Sequence, residues 1–149
     1  MSEIVIHNPG PPIAKKRPRI SRIGKHARTF NSQQTEEGLF LYHVQEALGD
    51  KQIPPGPLMV TMVFLFKRPK SHYGTGRNAE KIKPSAPPFH TQRPDVDNLV
   101  KFGLDVLNNV WDDDCKVVEL KAWKEWYGGP GRTIIKIQPM MADDEDFLS

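Results

Sequence analysis

Asp95-Val96-Asp97-Asn98-Leu99-Val100-Lys101-Phe102-Gly103-Leu104-Asp105-Val106-Leu107-Asn108-Asn109-Val110 is the stretch that decides the fold. Val96, Leu99, Val100, Leu104, Leu107 and Val110 fall at i, i+3, i+4, i+8, i+11 and i+14, which predicts an amphipathic helix over 96–110. Upstream, residues 58–66 (Leu-Met-Val-Thr-Met-Val-Phe-Leu-Phe) are apolar and too short for such a helix, so they read as a strand buried on both faces and central in a sheet. Further back, Phe40, Val44, Ala47 and Leu48 recur at helical spacing behind Thr35, a candidate N-cap followed by Glu36 and Glu37, giving a helix over 35–48. Residues 3–7 alternate and read as a short strand. Downstream, 115–127 and 132–138 read as strands joined by Gly128-Gly129-Pro130-Gly131. The order β-α-β-loop-α-β-β predicts an α+β fold, a mixed or antiparallel sheet with two main helices packed on it.

The 149 residues fit one domain, taken as 1–142, with an acidic tail over 143–149. The single cysteine, Cys115, excludes a disulfide framework and a cysteine-based zinc site, and reads as a small buried hydrophobe. No basic-then-apolar run opens the sequence, and the nine residues of 58–66 fall short of the ~20 that span a bilayer, so the expectation is a soluble cytoplasmic protein with no membrane contact.

The net charge of +3 hides a separation. Without Asp143, Asp144, Glu145 and Asp146 the rest of the chain has 14 acids against 21 bases and carries +7. Lys15, Lys16, Arg17, Arg19, Arg22, Lys25 and Arg28 form one basic cluster. Lys67, Arg68, Lys70, Arg77, Lys81, Lys83 and Arg93 form a second, within a Pro-rich segment over 67–94. Both read as mobile segments that follow a phosphate backbone. Of the histidines, His72 and His90 are placed to touch phosphate from the second segment. Trp111, Trp123 and Trp126 read as core or dimer-interface residues.

The chemistry lies in the acids. Asp95 and Asp97 straddle the start of the strong helix, and at ~100° per residue Lys101 and Asp105 follow Asp97 on one polar stripe. Asp112, Asp113 and Asp114 precede the next strand, and would meet the helix start only if the fold carried them back alongside it. A helix-start aspartate is commonly just a cap. Carboxylates without sulfur, however, suit a hard divalent cation, and magnesium takes one or two of them together with substrate phosphates. In a basic protein this points to metal-assisted attack of water on a phosphodiester.

The pattern Asp95-x-Asp97-Asn98-Leu99-x-Lys101, then Asp105-x-Leu107-Asn108, then Asp113-Asp114-x-x-Val117-Val118, resembles the RusA family of Holliday junction resolvases, with weaker similarity at Gly10-Pro11-Pro12 and Arg28-Thr29-Phe30. The resemblance implies a homodimer that uses Mg²⁺, with Mn²⁺ as substitute and no small-molecule cofactor, to nick opposed strands of a four-way DNA junction in a bacterial or phage-infected cell. It implies Asp95, Asp97 and Asp114 as metal ligands, Asp113 as a further candidate, and Lys101 as the catalytic lysine. Asp112 leaves the register of the acidic run open by one residue. Two other classes compete: a catalytically silent junction-binding module, which the intact acids and Lys101 disfavour, and a metal-dependent phosphohydrolase of small substrates, which has no use for two basic segments.

Overall fold

The computed structural model describes residues 3–16, 19–23, 26–30 and 33–141. Ile4–Pro9 (β1) alternates buried Ile4, Ile6 and Asn8 with exposed residues, as a strand with one covered face must. Arg19–Ile23 (β2) and His26–Phe30 (β3) pair as a separate two-stranded antiparallel sheet. Gln34–Leu48 (α1) follows, then Leu58–Lys67 (β4), Val96–Leu107 (α2), Val117–Tyr127 (β5) and Arg132–Pro139 (β6).

The four-stranded sheet has the order β1-β6-β4-β5, with β1 and β4 antiparallel to β6, and β4 parallel to β5. The fold is therefore α+β with a mixed sheet and two helices. β4 is central, as its apolar run requires, but it is not buried equally on both faces. Leu58, Val60, Met62 and Phe64 are buried, while Met59, Thr61 and Val63 between them are half-buried. Both helices cover that first face. Phe40 and Val44 of α1 and Leu99, Phe102, Val106 and Leu107 of α2 pack with Ile6, Met62, Ile135 and Ile137 in one core. Phe40 and Phe102 meet with ring centroids 6.0 Å apart. Buried rings of this kind contribute ~3–5 kcal/mol each relative to alanine. Gly103 lets α2 press onto the sheet, since a Cβ there would sit 3.2 Å from the Met62 side chain.

Several local expectations are corrected. α1 starts one residue before Thr35, and its N-cap is Gln33, whose side chain is fully buried and bridges backbone elsewhere. α2 ends at Leu107 rather than 110, because Asn109, Val110 and Trp111 turn back on Val106 and Leu107 through their backbone N–H groups. Cys115 is exposed, lying in a single 3-10 turn, Asp114–Lys116, that precedes β5. The segment 67–94 is organised. It holds two 3-10 turns and a Tyr73–Ile82 bridge, with the Gly74 N–H donating to the Lys81 carbonyl at 2.9 Å and the Lys83 N–H to the His72 carbonyl at 2.9 Å. Among the described residues no helix is long and apolar enough to cross a membrane. The acidic tail lies outside the described residues.

Because β1, β4 and β5 run the same way, their carboxyl ends share one edge of the sheet. Both helices start at that edge: residues following β1, Glu36 of α1 and Pro94 just before α2 line one cavity. Both helices end at the other edge, where Leu48, Val110, Trp111, Asp112 and Lys116 line a second.

Candidate active site

α2 begins at the carboxyl edge with Asp95 in the N-cap position. A cap aspartate normally accepts a bond from the first-turn N–H groups. Here the Asp95 carbonyl accepts from the Leu99 N–H at 3.2 Å, and its carboxylate makes no capping bond. Asp97 is exposed in the first turn. Among the described residues neither carboxylate has a hydrogen bond or ion pair, so both face solvent as oxygen donors beside the positive end of a helix dipole. Lys101, one turn further along, is likewise exposed and unpaired among the described residues.

Two chain segments build the walls. The first is 13–16, held by the side-chain amide of Gln33, which donates to the Ala14 carbonyl at 2.7 Å and accepts from the Lys16 N–H at 2.8 Å. The Lys15 N–H donates to the Asn98 carbonyl at 2.9 Å, laying this segment across the first turn of α2. Lys15 then turns inward to Asp105 at 2.9 Å and Glu37 at 3.5 Å, and its hydrogen bond to Asp105 raises its pKa. Lys15, expected to contact DNA, engages the far member of the Asp97-Lys101-Asp105 stripe in this structure. Lys16 instead joins Arg93, Pro94, Asp95 and Asn98 around a cleft of about 700 Å³.

The second wall is the end of 67–94. The His90 ring lies between Phe66 and Trp126, at centroid distances of 4.2 and 4.4 Å, and is buried. Desolvation, with the Lys124 ammonium second, lowers its pKa, so it is a neutral anchor and not the phosphate contact expected of it. His72 meets the edge of Trp126, and Arg68 lies over the same indole while donating to the Pro87 carbonyl at 3.0 Å. Of the expected DNA contacts here, Lys67, Lys70, Arg77 and Arg93 are exposed, whereas Arg68 is occupied in this anchor. Arg17 and Lys25, and the side chains of Arg19, Arg22 and Arg28, lie outside the described residues.

The remaining aspartates are elsewhere. Lys124 of β5 reaches the Gln92 and Pro94 carbonyls, so the start of α2 sits near the carboxyl end of β5. Val117, at the other end, is about 23 Å from Lys124 at ~3.3 Å per residue. Asp112–Asp114 precede Val117, past an α2 that is itself ~18 Å long. A single chain therefore brings Asp95, Asp97, Lys101 and Lys16 to one edge and leaves Asp112, Asp113 and Asp114 at the other. There Asp113 accepts from the Cys115 N–H at 3.0 Å, which lowers its pKa, and Asp112 lies 3.6 Å from Lys116. Among the described residues no three His, Cys, Asp or Glu side chains gather in a metal-binding group.

An α+β chain with a basic cleft and two unengaged carboxylates at a helix start has the features of a protein acting on phosphodiesters. Residues 9–138 match the family model of the endodeoxyribonuclease RusA, and the chain belongs to that family of endodeoxyribonucleases. It is also 34% identical over 142 residues to the "Uncharacterized protein YqaN" of Bacillus subtilis (strain 168), covering 89% of this chain and 94% of that protein.

Proposed function

We propose that the protein is a metal-dependent endonuclease that resolves four-way DNA junctions by paired nicking of opposed strands, acting as a homodimer in the cytoplasm. The observation that carries this reading is the partner-free Asp95 carboxylate beside Lys16 and Arg93, with the exposed Asp97 following it in the first turn of α2, in a chain of the RusA family.

The donor set fits a hard cation, because it offers carboxylate oxygens and no thiolate, and two protein ligands leave positions for phosphate oxygens and water. Asp95 and Asp97 would hold Mg²⁺ or Mn²⁺, which when bound supplies Lewis acidity and lowers the pKa of a coordinated water. Lys101, one turn from Asp97, carries its ammonium to the charge that builds on the phosphorane oxygens. Lys16 and Arg93 grip the flanking phosphates and orient the strand for in-line attack, leaving a 5′-phosphate and a 3′-hydroxyl. Lys67, Lys70 and Arg77 extend the cationic path, so binding falls steeply with salt.

Asp114 takes part through the dimer in this reading. Since it lies at the opposite edge from Asp95, it reaches a metal site only from a second copy, so that each site combines Asp95 and Asp97 of one protomer with Asp114 of its partner. Two such sites related by a two-fold axis match the two symmetry-related strands of a junction. The test offers a synthetic four-way junction and a linear duplex of the same sequence, each with magnesium or EDTA. Magnesium-dependent paired nicking of the junction alone is expected. Binding without nicking would instead mark a silent module.

A further inference from the structure

The chain that delivers Asp95 to the cleft has an unusual support. Among the described residues, no backbone-to-backbone hydrogen bond involves residues 89–94. Side chains from β5 hold this stretch instead. His90 is clasped by Phe66 and Trp126, and the Lys124 ammonium donates to the Gln92 carbonyl at 2.8 Å and the Pro94 carbonyl at 3.0 Å. The two carbonyls flank the cis Arg93–Pro94 peptide, and the next residue is Asp95. Charge-assisted bonds of this kind are about twice as strong as neutral ones. Lys124 also sits on the helix-covered face of β5, where its register partner is buried Phe64, so its half-buried stem leaves the ammonium little freedom to go elsewhere.

We infer that Lys124 is a positioning residue for the metal pair: by cross-linking the carbonyls on either side of Arg93, it fixes the backbone from which the Asp95 carboxylate and the Arg93 guanidinium project. It touches neither phosphate nor metal in this role. The inference rests on the reading of Asp95 and Asp97 as metal ligands, and adds that their affinity depends on a strand residue about thirty positions away. The ammonium acts as a carboxylate- or carbonyl-bound partner does behind a metal ligand, where loss typically costs 10–100-fold in metal affinity or activity.

The test compares wild type, Lys124→Met and Lys124→Arg in three measurements. The first is Mn²⁺ binding to the protein alone, followed by the electron paramagnetic resonance signal of free Mn²⁺. The second is the magnesium dependence of junction nicking, and the third is junction binding in EDTA. The methionine variant is expected to bind Mn²⁺ at least ~10-fold more weakly and to need correspondingly more magnesium for half-maximal nicking. Its junction binding in EDTA should fall by less than its Mn²⁺ affinity, because Arg93 is one of several cations on the phosphate path, and an equal fall in both would overturn the inference. Arginine, which keeps donors for both carbonyls, should recover most of the Mn²⁺ affinity. Unchanged Mn²⁺ affinity and magnesium dependence in the methionine variant would overturn the inference. So would a loss that arginine fails to recover while its melting temperature matches wild type. Should wild type bind Mn²⁺ yet nick no junction, the proposed function fails, and the Mn²⁺ measurement still decides the role of Lys124.

Discussion

The two ends of α2 carry the same residue type in opposite circumstances. At its start, Asp95 and Asp97 stand where aspartates usually cap a helix, yet neither carboxylate is engaged among the described residues. Beyond its end, Asp113 caps a 3-10 turn through the Cys115 N–H and Asp112 lies against Lys116. The first pair is supported from behind by Gln33, Lys15 and Lys124 acting on backbone, while the second group makes its own local contacts. An acid whose position is fixed by other residues and whose oxygens are left open is available to a ligand. An acid that closes its own turn is already in use.

That contrast can be broken most sharply at Asp97. Asp97→Asn is expected to reduce junction nicking on the order of 10³-fold or more. Its melting temperature in EDTA should hold or rise, because repulsion between neighbouring carboxylates is relieved. A clear fall in melting temperature, read by calorimetry, would make Asp97 a structural cap. Next in size is a mixing experiment. Asp114→Asn should be inactive alone, and so should Asp97→Asn, but subunit exchange between them should restore nicking of one strand, because the mixed dimer holds one complete site. Continued silence on mixing would place Asp114 outside a shared site, and full activity of Asp114→Asn alone would remove it from the chemistry.

Lys101→Met should lower kcat ~10²-fold with little change in junction binding, as expected for a cation that acts on the transition state. A smaller effect is expected at the support. Lys15→Met removes a half-exposed ion pair with Asp105 and should cost about 1 kcal/mol or less, seen as a melting temperature lower by a few degrees. The smallest concerns pH. Burial keeps His90 neutral in the fold, while the unfolded chain takes up a proton below the ordinary imidazole value of about 6.5. The unfolded state then binds more protons, so stability should decline as pH falls through ~6.5. His90→Phe should flatten that decline in denaturant titrations at pH 5 and 8, and an unaltered slope would remove His90 as its source.

The sequence made the framework legible where apolar spacing is strong. Val96 to Val110 marks α2, and the run at 58–66 marks the central strand, because buried faces leave a period that charge cannot blur. The pairing of β2 with β3 was hidden by the arginines of this segment, although two five-residue runs separated by Gly24-Lys25 are a turn signal in the sequence itself. Asp95, Asp97 and Lys101 were legible as a group because one helix carries them all. Lys124, Gln33 and His90 were not, since each acts on residues far from it in sequence. The direction of β5 was the decisive hidden fact. It runs back along α2, as an acidic cluster in one chain would need, but the end it returns to Asp95 carries Lys124 and not the aspartates.

The most direct measurement of the account is therefore a Mn²⁺ titration, read by electron paramagnetic resonance, of wild type, Asp97→Asn and Asp112→Asn. Wild type and Asp112→Asn should bind Mn²⁺ alike, and Asp97→Asn should lose that binding. Loss in Asp112→Asn with retention in Asp97→Asn would leave Asp97 outside the metal site and contradict the account.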